Sequence, residues 1–554
     1  AHQSPAYGED DYAMAKANDI PWVMSTDENG IFTLGRWKDE NVWESNKQIA
    51  KELLADGIVL KIEYIVHSYP HCHRCDTKLM YRAVPSWFMD IDGQRGEMLE
   101  HNGEVNWHPD HIKEGRFTKT VQSAPDWNLS RDRFWATPIP VWKGVDADGI
   151  ERVKVVGSYK ELEELSGRKL DDYHRPWIDD ITFDIDGVTY TRIDKVMDSW
   201  FEAGSMPFAQ FHYPFENVKK FEDNFPANFI VEYVGQVRAW FYYMHALSTG
   251  LFEQKAFKNV IVTGTVAGND GRKMSKSYGN YTNPNELMDQ YSADSLRFLL
   301  LSSPLMNGED FALIDKDVAD VARKLSMIWN VYDFFTLYAE VDNWEWNGEL
   351  LDPSANTDNV LDTWILSKIH TLINDVENAT KEYDLQSATR FILPFLDDLS
   401  NWYVRRSRKR FWKSDDGKDK QLAYQTLHYV MVQYAHVLAP FAPFMAEELY
   451  QKLTSGESVH LNNWPEAGHV NERVVTQMDA LRMAVNDGLS QRAKAQMKVR
   501  QPLASMTVSG ATDLGPQSDL YIDVLKEEVN VKQVNWHNDG EYQVQLELEL
   551  TDEL

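Results

Sequence analysis

The hydrophobic period of this 554-residue chain changes near Asp310, and that change constrains the fold more than any other feature. Upstream, the short apolar runs Phe229-Ile230-Val231-Glu232 and Asn259-Val260-Ile261-Val262-Thr263 flank a stretch, 236–251, with helical patterning. Strand and helix in alternation predict a parallel sheet. Downstream, Val318, Val321, Leu325, Ile328, Tyr332 and Phe335 recur at helical spacing. So do Leu361, Trp364, Ile365, Ile369, Leu372 and Val376, and then Leu422, Thr426, Val430, Tyr434 and Val437. That pattern predicts an all-helical bundle. Past Ala504, Met506-Thr507-Val508 and the alternation from Gln543 to Leu550 predict strands of a small α+β module. Residues 143–195 read as a charged insertion of hairpin type. Residues 1–60 mix helix with short strands around a turn at Glu28-Asn29-Gly30.

With 43% hydrophobic and 12% aromatic residues, the chain has material for several cores and is not a disordered polymer. No apolar run reaches membrane-spanning length, and the first residues carry no signal-peptide pattern, which predicts a soluble protein. Cys72 and Cys75 are the two cysteines, too few for a disulfide scaffold and in keeping with a reducing cytoplasm. The net charge of −30 excludes indiscriminate nucleic-acid binding and leaves room for selective binding through a local basic face.

Three groups of residues carry chemistry. The string Gly271-Arg272-Lys273-Met274-Ser275-Lys276-Ser277-Tyr278-Gly279-Asn280 follows the strand at 259–263. Its lysines and hydroxyls suit charge-assisted contacts to polyphosphate, and open α/β sheets place ligands after their strands. A solvated lysine turn is the plainer alternative. The cluster at 67–75 holds Cys72-x-x-Cys75, two of the four donors zinc takes, with His67, His71 and His73 nearby; a reduced, metal-free thiol pair is the other reading. In residues 405–413 six of nine side chains are basic, interleaved or flanked by Trp402, Tyr403, Phe411 and Trp412. RNA loops call for such arginines and aromatics, whereas a helix paired with nearby acids needs no ligand at all.

The lysine string resembles the signature loop of class I aminoacyl-tRNA synthetases. Within that class the isoleucyl type is the most similar, on Asp398-Leu399-Ser400-Asn401-Trp402-Tyr403-Val404-Arg405-Arg406-Ser407-Arg408, on Ser458-Val459-His460-Leu461 with Trp464-Pro465, on Lys498-Val499-Arg500-Gln501-Pro502-Leu503, and on Ser130-Arg131-Asp132-Arg133-Phe134-Trp135 with Thr137-Pro138-Ile139-Pro140. The resemblance implies five segments: the C-terminal part of a β-rich editing domain over 1–60, a connective segment over 61–110, the second half of an α/β Rossmann-type catalytic domain over 111–315, an anticodon-binding bundle over 316–503, and the start of a C-terminal module over 504–554. It implies ATP-dependent attachment of isoleucine to its tRNA through an adenylate, with Mg²⁺, hydrolytic editing of valine, and a cytoplasmic monomer with no membrane partner. Zn²⁺ would sit at Cys72 and Cys75 as half of a knuckle.

By the same resemblance, Lys273, Lys276, Ser275 and Ser277 hold ATP phosphates. Glu232, Gln236 and Trp240 meet the adenylate and amino acid. His2 and Asp11 line the editing pocket, and Arg405, Arg406, Arg408, Lys409 and Arg410 meet tRNA. Bland alternatives stand beside these: Glu232 as a helix N-terminal carboxylate and Asp11 as part of an acidic turn capping a helix. Two positions depart from the family pattern, Tyr233 in place of a glycine and Gly235 in place of an aspartate. The family's His-Ile-Gly-His signature does not occur, which implies a fragment with half of the phosphate clamp that does not activate isoleucine alone. A valyl-type enzyme and a non-catalytic tRNA-binding protein are the rival expectations.

Overall fold

The computed structural model describes residues 3–72, 75–274, 278–412 and 417–549. The chain divides into two compact units, one built from 1–90 and 126–199, the other from 91–125 and 200–554.

The first unit opens with helices Glu9–Ala17 and Val42–Ala55. Between them the turn at 27–31 forms because Asp27 Oδ1 accepts from the N–H groups of Asn29 and Ile31, at 2.9 and 2.8 Å. Gly30 takes the positive φ of 74° that the reversal needs. The strands expected over 1–60 are here only isolated bridges, Thr26 to Phe32 and Ile31 to Asn41. The β-rich expectation for this segment is therefore corrected among the described residues: its regular structure is helical. The insertion at 141–192 is an antiparallel sheet in the order Glu151–Val155, Val141–Val145, Val188–Arg192, Thr182–Ile185. Its core gathers Trp142, Ile181, Phe183 and Tyr190, and Trp142 Nε1 donates to Ile181 O at 2.8 Å. Gly144 lets the strands close up, since a Cβ there would stand 2.5 Å from Thr189 O.

The second unit contains the parallel sheet. Ala227–Tyr233 pairs with Phe257–Thr263, which pairs with Asn106–His108. This third strand lies inside the segment expected to be connective, and its sequence hides it: Asn-Trp-His shows no strand alternation. Trp107 places it, its ring packing against Phe117 at 4.7 Å and Phe241 at 6.1 Å. Fully burying one such ring is worth roughly 2–3 kcal/mol. Helix Trp240–Phe252 packs on the sheet through Phe241, whose ring meets Trp107 and Phe257. It is tied to helix Ile91–Gly103 by buried His245, whose Nε2 donates to Met98 O at 2.7 Å. Burial pushes that imidazole down to about 4, so it stays neutral.

Beyond Asp315 the unit is helical through Glu472–Lys494, with Val360–Lys381 and Gly417–Leu438 as long central elements. A π-helical stretch, Asp398–Val404, joins Leu385–Asp397 to Arg405–Trp412. The C-terminal module pairs Leu503–Ser509 with Val531–Trp536 in parallel and with Gln543–Leu546 antiparallel. Its Met506, Tyr521 and Leu525 belong to the same continuous core as Trp364 and Tyr403 of the bundle. Among the described residues no helix is long and apolar enough to cross a membrane.

Candidate active site and basic helix

Strand order sets the candidate active site. Tyr233 and Thr263 are register partners at the carboxyl ends of adjacent parallel strands. The segment with Glu232, Gln236 and Trp240 therefore leaves the sheet at the same edge as the chain leading to the lysine loop. Carboxyl ends of parallel strands are where open α/β sheets bind ligands.

Glu232 is exposed on the last turn of its strand, and its Oε2 accepts from Tyr233 N at 3.1 Å. The helix expected over 236–251 is two pieces, a 3₁₀ turn Val234–Arg238 and the α-helix Trp240–Phe252. Gln236 makes the junction, its Oε1 accepting from Trp240 N at 3.0 Å. Trp240 is fixed in turn, its Nε1 donating to Ala203 O at 3.0 Å.

After Thr263 the backbone passes Glu309 closely: a Cβ on Gly264 would stand 1.8 Å from Glu309 O. A second strand, Val266–Ala267, pairs with Phe311–Ala312, and Ala267 bridges to Lys273. Lys273 is exposed. Ser275, Lys276 and Ser277 lie outside the described residues. Sequence reasoning missed Asp270 and Asn280, which flank this loop. Asn280 Nδ2 donates to Asp270 Oδ1 at 2.9 Å. That bond and the Arg272 N–H pull the Asp270 carboxyl down to about 2. The Asp270-Gly271 pair is a turn signal that could have pointed to it.

In the first unit, His2 lies outside the described residues. Asp11 sits in the first turn of Glu9–Ala17, and its Oδ2 accepts from Ser4 N at 2.9 Å. At the turn that holds Cys75, Asp76 N donates to Cys72 O and Cys72 N to Thr77 O, both at 2.8 Å. Hydrogen bonds with Thr77, and then with Cys72, hold the Cys75 thiol below its usual range. His73 lies outside the described residues. Among the described residues no group of three or more His, Cys, Asp or Glu side chains could hold a metal ion. The turn thus fits zinc only as two of four donors.

The basic stretch departs most from expectation. Arg405 makes a two-pronged pair with Glu528, at 2.7 and 2.8 Å. Arg406 reaches Glu528 at 3.0 Å and Glu527 at 2.5 Å, and Lys409 reaches Glu527 at 2.9 Å. Arg410 is clamped on Asp362, at 2.6 and 2.8 Å, and on Asp419 at 2.7 Å. Arg408 stands over the Phe334 ring at 6.0 Å. Trp402, Tyr403 and Phe411 are buried, while Trp412 is exposed. Carboxylates engage Arg405, Arg406, Lys409 and Arg410, the pairing with acids that the sequence held beside the tRNA reading. The partners Glu527 and Glu528 lie more than a hundred positions away, beyond the reach of local pattern.

Among known protein families, the chain matches the tRNA synthetases class I (I, L, M and V) over residues 18–312 and the anticodon-binding domain of tRNA ligase over 362–507. It belongs to that class I family. Within the family its similarity is to isoleucine–tRNA ligases: 40% identity over 547 residues with that of Chlamydia pneumoniae, covering 97% of this chain and 52% of that protein. Isoleucine–tRNA ligase 2 of Pseudomonas fluorescens is 40% identical over 547 residues, covering 98% and 52%. The Treponema denticola enzyme is 40% identical over 559 residues, covering 97% and 50%. The chain spans about half the length of the curated relatives it matches. Among solved structures, Mycobacterium tuberculosis methionyl-tRNA synthetase in complex with methionyl-adenylate aligns with a TM-score of 0.49 and 17% identity, over 79% of this chain and 78% of that one.

Proposed function

We propose that this chain serves the ATP-dependent attachment of isoleucine to its tRNA through an isoleucyl-adenylate. The observation that carries the reading is the shared sheet edge, where the Glu232 segment and the lysine loop leave neighbouring parallel strands. Adenylate formation moves negative charge onto phosphoryl oxygens as pyrophosphate departs. The protein's part is placement and cationic stabilisation. In this reading Lys273 and Lys276, with Ser275 and Ser277, hold the phosphates of Mg²⁺-ATP as substrate. Glu232, Gln236 and Trp240 hold the aminoacyl end, and the Gln236–Trp240 hydrogen bond keeps that surface preformed.

The first unit would carry hydrolytic editing of valine, with Asp11 and His2 at the pocket. The Ser4 N–H already orients the Asp11 carboxylate. The bundle would meet tRNA. The Cys72–Cys75 turn would give two thiolates to a zinc ion completed by other donors. The 40% identity to isoleucine–tRNA ligases favours isoleucine over valine. The working place of such an enzyme is the cytoplasm.

The test is isoleucine-dependent exchange of pyrophosphate into ATP by the whole polypeptide that carries this chain. Exchange with isoleucine, and loss of about 100-fold in rate with Lys276→Ala, are expected, as for removal of one preorganised donor. Exchange that prefers valine, or a Lys276→Ala enzyme as fast as its parent, overturns the reading.

A further inference from the structure

One buried amide closes the base of the lysine loop. Asn280 is 5% exposed. Its Nδ2 donates to Asp270 Oδ1 at 2.9 Å, to Lys273 O at 3.2 Å and to Arg272 O at 3.3 Å. Its backbone oxygen accepts from Asn269 N at 3.1 Å. The contact is so close that position 268 must be glycine: a Cβ there would stand 2.2 Å from Asn280 O and 2.6 Å from Nδ2. From the other flank, Asp270 accepts the Arg272 N–H at 3.0 Å and pairs with the Arg272 guanidinium at 2.7 Å. That guanidinium covers the Tyr278 ring at 5.3 Å. Asn280 thereby grips the backbone of Lys273 directly, from a point seven residues along the chain.

We propose that Asn280, with Asp270, is a positioning clasp that presents Lys273 to a triphosphate. The clasp rests on the reading of this loop as the phosphate-binding element. A backbone anchored at Lys273 loses less freedom when ligand arrives, so the clasp raises affinity without touching ligand. The Lys273 carbonyl is held by the Asn280 amide and the Arg272 carbonyl by Gly268 N at 2.8 Å together with that amide, while the Arg272 guanidinium is held on Asp270 and the Lys273 side chain stays exposed.

The probe is inorganic tripolyphosphate, titrated calorimetrically into the whole polypeptide that carries this chain, with trypsin cleavage after Arg272 and Lys273 as a second readout. Asn280→Ala is expected to weaken tripolyphosphate binding by about tenfold, the scale of losing a net hydrogen bond or two, and to speed cleavage. The exchanged pair Asp270→Asn with Asn280→Asp restores the 270–280 hydrogen bond with donor and acceptor reversed, and is expected to recover part of both. Equal affinity in parent and Asn280→Ala, while Lys273→Ala binds weakly, overturns the clasp and leaves the loop's role standing. If the parent binds no tripolyphosphate, the phosphate reading itself falls. The clasp is then decided by trypsin alone: faster cleavage of Asn280→Ala supports it, and equal rates overturn it.

Discussion

The ring of Tyr233 occupies the space that any side chain on residue 235 would need. A Cβ built on Gly235 would stand 2.5 Å from Cε2, Cζ and the hydroxyl of Tyr233. The two departures from the family pattern, a tyrosine for a glycine and a glycine for an aspartate, are thus one packing arrangement beside Glu232.

This coupling predicts a change of sign. Gly235→Ala in the parent must push the Tyr233 ring aside. The ring is 46% exposed and can swing, so the loss should stay near 1 kcal/mol. In a Tyr233→Gly background the obstacle is gone, and the same substitution should stabilise by about 0.4–1 kcal/mol by restricting the unfolded chain. Urea unfolding of the four proteins gives the interaction directly. Additive effects would show that the ring and residue 235 do not meet.

The buried carboxylate Asp362 offers a sharper stability test. It is fully buried and receives Arg410 on both oxygens, Tyr403 Oη at 2.7 Å and Thr357 Oγ1 at 3.0 Å. Burial and this carboxylate together hold the Tyr403 phenol well above its usual range. Arg410→Ala leaves an uncompensated charge in the core and should cost about 3–5 kcal/mol, a large share of a domain's stability. Replacing Asp362 with Leu and Arg410 with Met together should cost less than Arg410→Ala alone. Denaturant midpoints decide it, and a loss under about 1 kcal/mol for Arg410→Ala would mean solvent reaches the pair.

Much of this architecture was legible because its signals are local. The period change near Asp310 marked the bundle, the apolar runs at 229–232 and 259–263 marked two strands, and the Asp27–Gly30 turn announced itself. What could not be read depends on distant partners. The strand Asn106–His108 exists because Val260 and Trp107 come into register from opposite ends of the unit. The basic helix read as an RNA face, with pairing to acids as the alternative, and its partners Glu527 and Glu528 lie too far along the chain for local pattern to show them. The hydrogen bonds of Asn280 to Asp270 and Lys273 join residues ten and seven positions apart, which no local pattern announces.

Acid stability should depend on Asp352. Burial raises its carboxyl, but contact with His370 Nε2 at 3.0 Å and hydrogen bonds from Ser354 outweigh it and bring the value to about 2. Gly468 N donates to His370 Nδ1 at 2.9 Å, leaving Nε2 as the ring atom nearest Asp352. A carboxyl lowered on folding contributes stability above its unfolded value, about 3.9, and that contribution fades as pH falls from there toward 2. Asp352→Asn should therefore lower stability at pH 6 and flatten the stability curve between about pH 4 and 2. Gly468→Ala should do the same, because its Cβ would stand 2.4 Å from Asp352 Oδ2. Parallel parent and variant curves through that window would remove Asp352 from the acid transition.

The last prediction asks what the basic helix does when its acids are removed. Glu528 is nearly buried, and with Glu527 it holds Arg405, Arg406 and Lys409 against helix Ser518–Val529. If tRNA uses this face, phosphate must compete with those carboxylates. Glu527→Gln with Glu528→Gln should then strengthen tRNA binding and steepen its salt dependence, by roughly one unit of slope for each freed cation that reaches phosphate. The same change should lower the melting temperature, since it removes the ion pairs between the bundle and the C-terminal module. Removing two negative charges anywhere helps RNA somewhat, so the control is Glu222→Gln with Asp223→Asn, an exposed pair on helix Val218–Asn224. Filter binding across a salt series compares the three. A steeper slope only in the 527/528 variant assigns the helix to RNA. Equal slopes in the variant and the control, with the melting temperature lowered in the variant alone, mean that Arg405, Arg406 and Lys409 serve to anchor the module and that tRNA meets another face.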